Sequence, residues 1–106
     1  MLVVMPNNWD YHHQILGNMD FPFQQIEIDN KKIRTFSPDV DEDELKWHQD
    51  LTDRKVTIVE SGGWSFQMED ELPSKLQNAK QIFIPKLVWH RVIKGKGELV
   101  VEIEEF

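Results

Sequence analysis

The sequence contains no cysteine, which excludes disulfide bonds and metal sites built from thiolate ligands. This absence fits a reducing compartment, and we expect a cytoplasmic protein. Long hydrophobic runs are also missing: the opening segment MLVVM, residues 1–5, is followed by Pro6 and has no basic residue. It is too short to span a membrane and lacks the charged start of a signal peptide. The sequence therefore predicts neither membrane association nor secretion.

Basic residues are in the minority. The 106-residue chain has 12 Lys and Arg against 19 Asp and Glu, and its formal net charge is −7. A surface of this sign repels phosphate backbones, so we expect no nucleic-acid partner. The length is that of one small domain with a modest core. Bulky core residues are present, since the chain has four Trp and six Phe, and we expect Trp47, Trp64 and Trp89 to lie in the core or in a cavity wall.

Helical periodicity is nearly absent, whereas short alternating or β-branched segments recur. These segments are residues 23–29, 33–36, 55–60, 64–69, 81–85, 88–93 and 98–105. Glycine-containing turns follow two of them, Ser61-Gly62-Gly63 and Lys94-Gly95-Lys96-Gly97, because glycine allows the positive φ of tight turns. We therefore predict an all-β fold, a small antiparallel β-barrel or jelly roll. The turns predict that 55–60 pairs with 64–69, and that 88–93 pairs with 98–105.

Two histidines stand in strand-like surroundings. His48 and Asp50 are two residues apart, so in a strand they point to the same face. His90 lies in an apolar segment, five residues after Pro85. A histidine in such a segment is more often a hydrogen-bonded structural residue than a ligand, and this alternative stays open. If both strands face one cavity, His48, Asp50 and His90 form a site in a barrel that holds a small molecule.

Residues 45 to 105 resemble the cupin superfamily, in which two motifs surround a small antiparallel barrel. The first motif runs G-x5-H-x-H-x3,4-E-x6-G and the second G-x5-P-x-G-x2-H-x3-N. His48-Gln49-Asp50 stands where H-x-H is expected, and the segment PKLVWH, from Pro85 to His90, matches the proline and the histidine of the second motif. The resemblance implies a cupin-like jelly-roll barrel with a small-molecule pocket and a metal site.

Several positions depart from these motifs, including the absent glycine before Pro85, and three of them bear on the site. Asp50 replaces the second histidine, Arg54 stands in place of the glutamate, and Leu87 replaces a glycine. Two histidines and one carboxylate still have the composition of a facial-triad iron site. The guanidinium of Arg54, however, is always charged and opposes a cation, and it can pair with Asp50 instead. The sequence thus leaves open one divalent metal (Fe, Mn, Ni or Zn) on His48, Asp50 and His90, or none.

Two function classes follow from the resemblance. One is an enzyme such as a divalent-metal-dependent dioxygenase or isomerase, with His48 and His90 as catalytic residues. Without a metal, either histidine can still act as a general base. The alternative is a metal-free binding or structural module in which Arg54 pairs with Asp50.

Two further residues are candidates for ligand binding beside Asp50 and Arg54. Gln67 follows the first glycine turn and is a candidate to point toward the histidines, although a solvent-facing position in an alternating strand is slightly favoured. Trp89 is expected to contribute an aromatic face for stacking on a ligand.

The whole chain is predicted to be one cupin-like domain. Residues 45–105 are assigned to the core barrel, and residues 1–30 to N-terminal strands that cover an edge of it. Because small cupins often exchange such a segment between subunits, the resemblance implies a homodimer.

Overall fold

The computed structural model describes residues 22–106, which form two antiparallel β-sheets around a common core. The strands are β1 (Gln24–Ile28), β2 (Lys31–Phe36), β3 (Arg54–Glu60), β4 (Ser65–Met68), β5 (Ser74–Lys75), β6 (Gln81–Ile84), β7 (His90–Ile93) and β8 (Leu99–Glu105). The larger sheet has the order β1-β2-β8-β3-β6, and the smaller has the order β5-β4-β7. A short 3-10 helix, Glu42–Glu44, follows β2 and is capped by the side chain of Asp41. The all-β, jelly-roll-like architecture predicted from the sequence is confirmed.

The predicted strand pairings are wrong. β3 pairs with β6 and β8, and β4 pairs with β5 and β7. The segments on either side of each glycine turn therefore belong to different sheets. The turns themselves form as expected, since Trp64 N donates to Ser61 O at 2.9 Å. The chain leaves them toward the opposite sheet because pairing is set by packing across the core, which local turn chemistry does not specify.

The two turns are packed against each other. Gly97 N donates to Gly62 O at 2.9 Å, and Gly62 and Gly63 have φ of 56° and 80°. A Cβ on Gly95 would lie 2.4 Å from the carbonyl carbon of Gly63, so that position accepts only glycine. The close approach fixes where both chain segments cross between the sheets.

Alternating side chains fill the space between the sheets. The buried apolar residues are Phe36, Val56, Ile58, Trp64, Phe66, Leu76, Ile84, Leu99, Val101 and Ile103. Trp64 is fully buried and donates from Nε1 to Gly97 O at 2.7 Å, as expected for a core residue. The inward face also carries charge, because the alternation of β2 buries Lys32 and Arg34 in line with Phe36.

Residues 1–21 lie outside the described residues, and with them most of the segment expected to cover a sheet edge. The strand that follows, β1, is an edge strand of the larger sheet. Between residues 22 and 106 no helix is long and apolar enough to cross a membrane. The homodimer and the cytoplasmic location remain predictions.

Candidate metal centre

His48 and His90 are opposite residues of an antiparallel bridge. His48 N donates to His90 O at 3.0 Å, and His90 N donates to His48 O at 2.9 Å. Opposite residues of such a pair project to the same face, and their ring centroids lie 4.2 Å apart. Both rings line the cavity between the sheets, so the backbone bridge aligns the two predicted ligands.

Asp50 completes the group. Its side chain is fully buried, with Oδ2 3.3 Å from His90 Nε2 and Oδ1 3.8 Å from His48 Nε2. One ligand atom from each of the three residues lies within 4.8 Å of the other two. Leu87 N donates to Asp50 O at 2.8 Å, which ties this segment to the turn before β7. The structure therefore brings the three predicted ligands together.

Backbone carbonyls orient both imidazoles. His48 Nδ1 lies 3.1 Å from Lys46 O, and His90 Nδ1 lies 2.9 Å from Val88 O. A carbonyl oxygen only accepts hydrogen bonds, so each Nδ1 carries a proton. In a neutral ring of this tautomer, Nε2 presents a lone pair. When either ring is neutral, its Nε2 therefore faces the Asp50 carboxylate with a lone pair.

The charge state of the group follows from burial and from the neighbouring charges. Burial, with a smaller contribution from His90, lowers the pKa of His48 from 6.5 to about 4, so this ring is neutral at pH 7. Burial opposes ionisation of Asp50, but His90 and Arg54 outweigh it and lower its pKa from 3.8 to about 2. Near neutral pH the group thus contains an anionic carboxylate beside a neutral imidazole.

Arg54 points inward and forms an ion pair with Asp50, as one of the alternatives from the sequence suggested, but not through the bidentate hydrogen bonds of a close pair. Its side chain is 3% exposed, and Nη2 donates to Glu105 Oε2 at 2.9 Å. Arg54 Nε lies 3.5 Å from Asp50 Oδ2, close enough for ionic attraction but without a hydrogen bond. The bidentate Arg54–Asp50 pair is therefore absent from the described residues, and the guanidinium lies between two carboxylates.

The unsatisfied atoms test whether a metal fits. Within the part of the chain that the structure describes, neither oxygen of Asp50 has a hydrogen-bond partner. Buried polar atoms nearly always have one, and a buried anion needs compensation. Ligand atoms about 2.1 Å from a common cation lie about 3 to 4 Å apart, the range of both His–Asp distances. The three residues could therefore hold a divalent ion that accepts nitrogen and oxygen ligands.

Leu87 adopts the conformation that the motif assigns to glycine. Its φ is 65°, in the left-handed region, where a side chain costs about 1–2 kcal/mol. The hydrogen bond from Leu87 N to Asp50 O and another from Gln49 Nε2 to Leu87 O, at 2.9 Å, hold this turn in place. The turn therefore forms with leucine at this position, at the cost of a strained backbone.

The cavity beside the three ligands is small and mostly apolar. Its volume is about 70 Å³, which is more than a single water molecule needs. The polar side chains that line it are Arg34, Lys46, His48, Asp50, Arg54 and His90. The remaining wall is aliphatic and aromatic, which keeps the effective dielectric constant low around the ligands.

Gln67 and Trp89 do not join this group. Both alternate with inward residues, Phe66 and His90, and face away from the cavity. Gln67 Oε1 accepts from Arg91 at 3.0 and 2.9 Å, and Trp89 is 46% exposed. Their expected binding roles and the core position of Trp89 are thus not supported, because strand alternation places both side chains outside. Trp47 is also partly exposed, with the Arg91 guanidinium over its ring.

Sequence reasoning missed two charged residues beside the site. Glu105 accepts from Arg54, and Lys32 Nζ lies 3.0 Å from its other oxygen, Oε1. The signal was present in the alternation of β8, in which Leu99, Val101 and Ile103 point inward and Glu105 has the same parity. A carboxylate in an inward register position indicates an internal ion pair.

Neither a protein-family model nor a curated protein matches this sequence. Solved structures do match. A cupin domain from Bordetella pertussis Tohama I is 25% identical, with 83% of this chain and 98% of that chain covered and a TM-score of 0.57. A cupin-2 domain-containing protein from Shewanella frigidimarina is 19% identical, with 91% of each chain covered and a TM-score of 0.57.

Larger chains contain the same fold. Fe(II)-HppE with an alternative substrate is 16% identical, covers 84% of this chain and has a TM-score of 0.59. The present chain spans 51% of that chain, and 35% of the matching chain in the structures of the DMSP lyases RdDddP and RnDddQII. At these identities the likeness concerns the fold. The two sheets and the cupin domains among the similar structures show that this chain has a cupin-like fold.

Proposed function

We propose that this protein is a divalent-metal enzyme that acts on a small molecule, with His48, Asp50 and His90 as the metal ligands. The observation that carries the proposal is the convergence of two histidines and one unsatisfied, buried carboxylate within 4.8 Å. Two histidines and one carboxylate are the ligand set of non-haem Fe(II) oxygenases. Oxygenase chemistry is therefore the reaction class that we favour, and the iron in the name of Fe(II)-HppE supports it by analogy of fold.

The protein's own groups have distinct roles in this proposal. The carbonyls of Lys46 and Val88 fix the rings so that both Nε2 atoms face the ligand position. The apolar wall limits access of water, which strengthens electrostatic interactions inside the cavity. A bound divalent ion supplies a Lewis acid or, as iron(II), a centre for oxygen activation.

The cavity has room beside the ligands for part of a substrate. Its volume of about 70 Å³ is more than one water molecule needs, so a small reacting group fits there.

Metal content is the direct test. Protein purified without chelator should contain close to one equivalent of a divalent metal, and anaerobic addition of Fe²⁺ to the metal-free protein should restore one equivalent. Elemental analysis after gel filtration measures both, and it distinguishes Fe, Mn, Ni and Zn. A parent protein that retains none of the four would contradict the proposal.

A metal-free binding module is the second candidate, and the position of Arg54 favours it. A guanidinium 3.5 Å from Asp50 Oδ2 compensates part of the carboxylate charge and repels a cation. Under this alternative the parent contains no metal, and Arg54→Glu creates a metal affinity that the parent lacks.

A further inference from the structure

We infer that Glu105 is a positioning residue of the metal centre: it holds the Arg54 guanidinium off Asp50 and so keeps that carboxylate available to a cation. This inference rests on the proposed function, because the cation concerned is the one that His48, Asp50 and His90 would bind. It concerns how a cupin-type site tolerates an arginine among its ligand positions.

The Arg54 guanidinium contacts two carboxylates unequally. Arg54 is buried between two carboxylates, and its short hydrogen bond, 2.9 Å from Nη2, goes to Glu105 Oε2. The contact with Asp50 Oδ2 is 3.5 Å from Nε and is not a hydrogen bond. Glu105 thus has the stronger interaction, although Asp50 lies only four residues from Arg54 in the chain.

The Glu105 carboxylate is itself held in place by two other residues. Lys32 Nζ lies 3.0 Å from Oε1, and Thr52 Oγ1 donates to Oε2 at 3.2 Å. The Lys32 side chain is 9% exposed and the Glu105 side chain 24% exposed. These contacts do not depend on Arg54, so the Glu105 carboxylate keeps its place when Arg54 is replaced.

A bound cation and the Arg54 guanidinium would compete for the Asp50 carboxylate. A cation bound by Asp50 and a guanidinium bonded to Asp50 draw on the same carboxylate lone pairs. If Glu105 loses its charge, Asp50 becomes the remaining carboxylate beside Arg54 among the described residues. A buried guanidinium without a counter-ion is costly, so it should then close on Asp50 and exclude the cation.

The charges around the site alternate in sign through the barrel. Positive Lys32, negative Glu105, positive Arg54 and negative Asp50 alternate along one line of contacts. Removal of Glu105 leaves two positive groups against one carboxylate, whereas removal of Arg54 takes away the guanidinium that lies 3.5 Å from Asp50. The two changes should therefore have opposite effects on metal affinity.

The test measures the affinity of the full-length protein for Co²⁺, by competition with a chelator and by the visible absorption of the bound ion. Glu105→Gln should weaken binding by roughly 10- to 100-fold, as is typical for groups that orient metal ligands. Arg54→Gln should strengthen it. In the double variant Arg54→Gln/Glu105→Gln, the affinity should stay within about twofold of Arg54→Gln alone, because Glu105 acts through Arg54.

The control is Glu104→Gln. Glu104 is the adjacent residue of β8, and it pairs with Lys55 at 3.2 Å on the outer face. This variant removes the same charge from the same strand, so its affinity should match the parent within about twofold. At saturating Co²⁺ the absorption band of Glu105→Gln should match that of the parent, since the ligands are unchanged, and thermal unfolding of each variant checks that the barrel is folded.

The outcomes separate the inference from the proposed function. If the parent binds Co²⁺ and Glu105→Gln binds it with the same affinity, the inference is overturned and the metal centre stands. An equal loss with and without Arg54 also overturns it, because Glu105 would then act by its charge alone. A parent and an Arg54→Gln variant that both fail to bind Co²⁺ overturn the inference and the proposed function together.

Discussion

The backbones of His48 and His90 exchange two hydrogen bonds, of 3.0 and 2.9 Å, across an antiparallel bridge. This relationship makes one site from two segments that are distant in the sequence, because opposite residues of the bridge share a face. The rings are aligned by main-chain contacts, so removal of either ring leaves the scaffold that aligned them.

Replacement of the histidines should therefore separate metal binding from folding. We expect His48→Ala and His90→Ala each to lower metal affinity by more than about 100-fold, since a ligand is lost, while the cost in stability stays near about 1–3 kcal/mol. Elemental analysis and thermal unfolding measure the two effects. Gln67→Ala, outside the cavity, should bind metal like the parent, and a histidine variant that retains full metal content would remove that histidine from the ligand set.

Stability should fall on mild acidification because of His48. Its pKa is about 4 in the folded protein against 6.5 for the unperturbed group, so between these values the unfolded chain binds a proton that the folded chain excludes. The free energy of unfolding should therefore decrease as pH falls from 6.5 to 4, by up to about 3 kcal/mol, and this contribution should be constant above pH 6.5.

Urea denaturation with chelator present measures this pH dependence without metal release. His48→Gln has no titratable ring and should remove most of the slope between pH 6.5 and 4. The same slope in parent and variant would assign it to other groups.

The left-handed turn at Leu87 predicts a stabilising substitution. Leu87 has φ 65° and is 52% exposed, so Leu87→Gly relieves backbone strain at little loss of packing. Glycine also loses more conformational entropy on folding, so we expect the free energy of unfolding to rise by no more than about 1 kcal/mol. Lys86→Gly, next to it and without positive φ, should destabilise instead, and chemical denaturation compares the two. A loss of stability in both variants would show that the Leu87 side chain compensates the strain.

The packed turns predict a large difference between two glycines. A Cβ at position 95 would lie 2.4 to 2.6 Å from backbone atoms of Gly62, Gly63 and Trp64, whereas at position 97 its nearest contact is 3.3 Å. We expect Gly95→Ala to cost more than about 2 kcal/mol, and Gly97→Ala less than about 1 kcal/mol. Urea denaturation measures both, and similar small costs would mean that the turns separate easily.

The local features of the fold could be read from the sequence. Alternation placed seven strands close to their observed bounds, and the glycines marked two real turns. The spacing of His48, Asp50 and Pro85 to His90 identified the three residues that the structure brings together. These features depend on a period of two and on short segments, so a single sequence contains them.

Only the tertiary structure decided the rest. Periodicity shows which face of a strand is buried but not which strand lies beside it, so the pairing of β3 with β8 and of β4 with β7 had to come from packing across the core. The same limit hid Glu105, which contacts Arg54 from β8. It also left the direction of Gln67 open and placed Trp89 in the core or in the cavity wall, although both side chains face outward. The ligands follow from spacing along the chain, whereas the charges around them follow from contacts between strands that are distant in sequence.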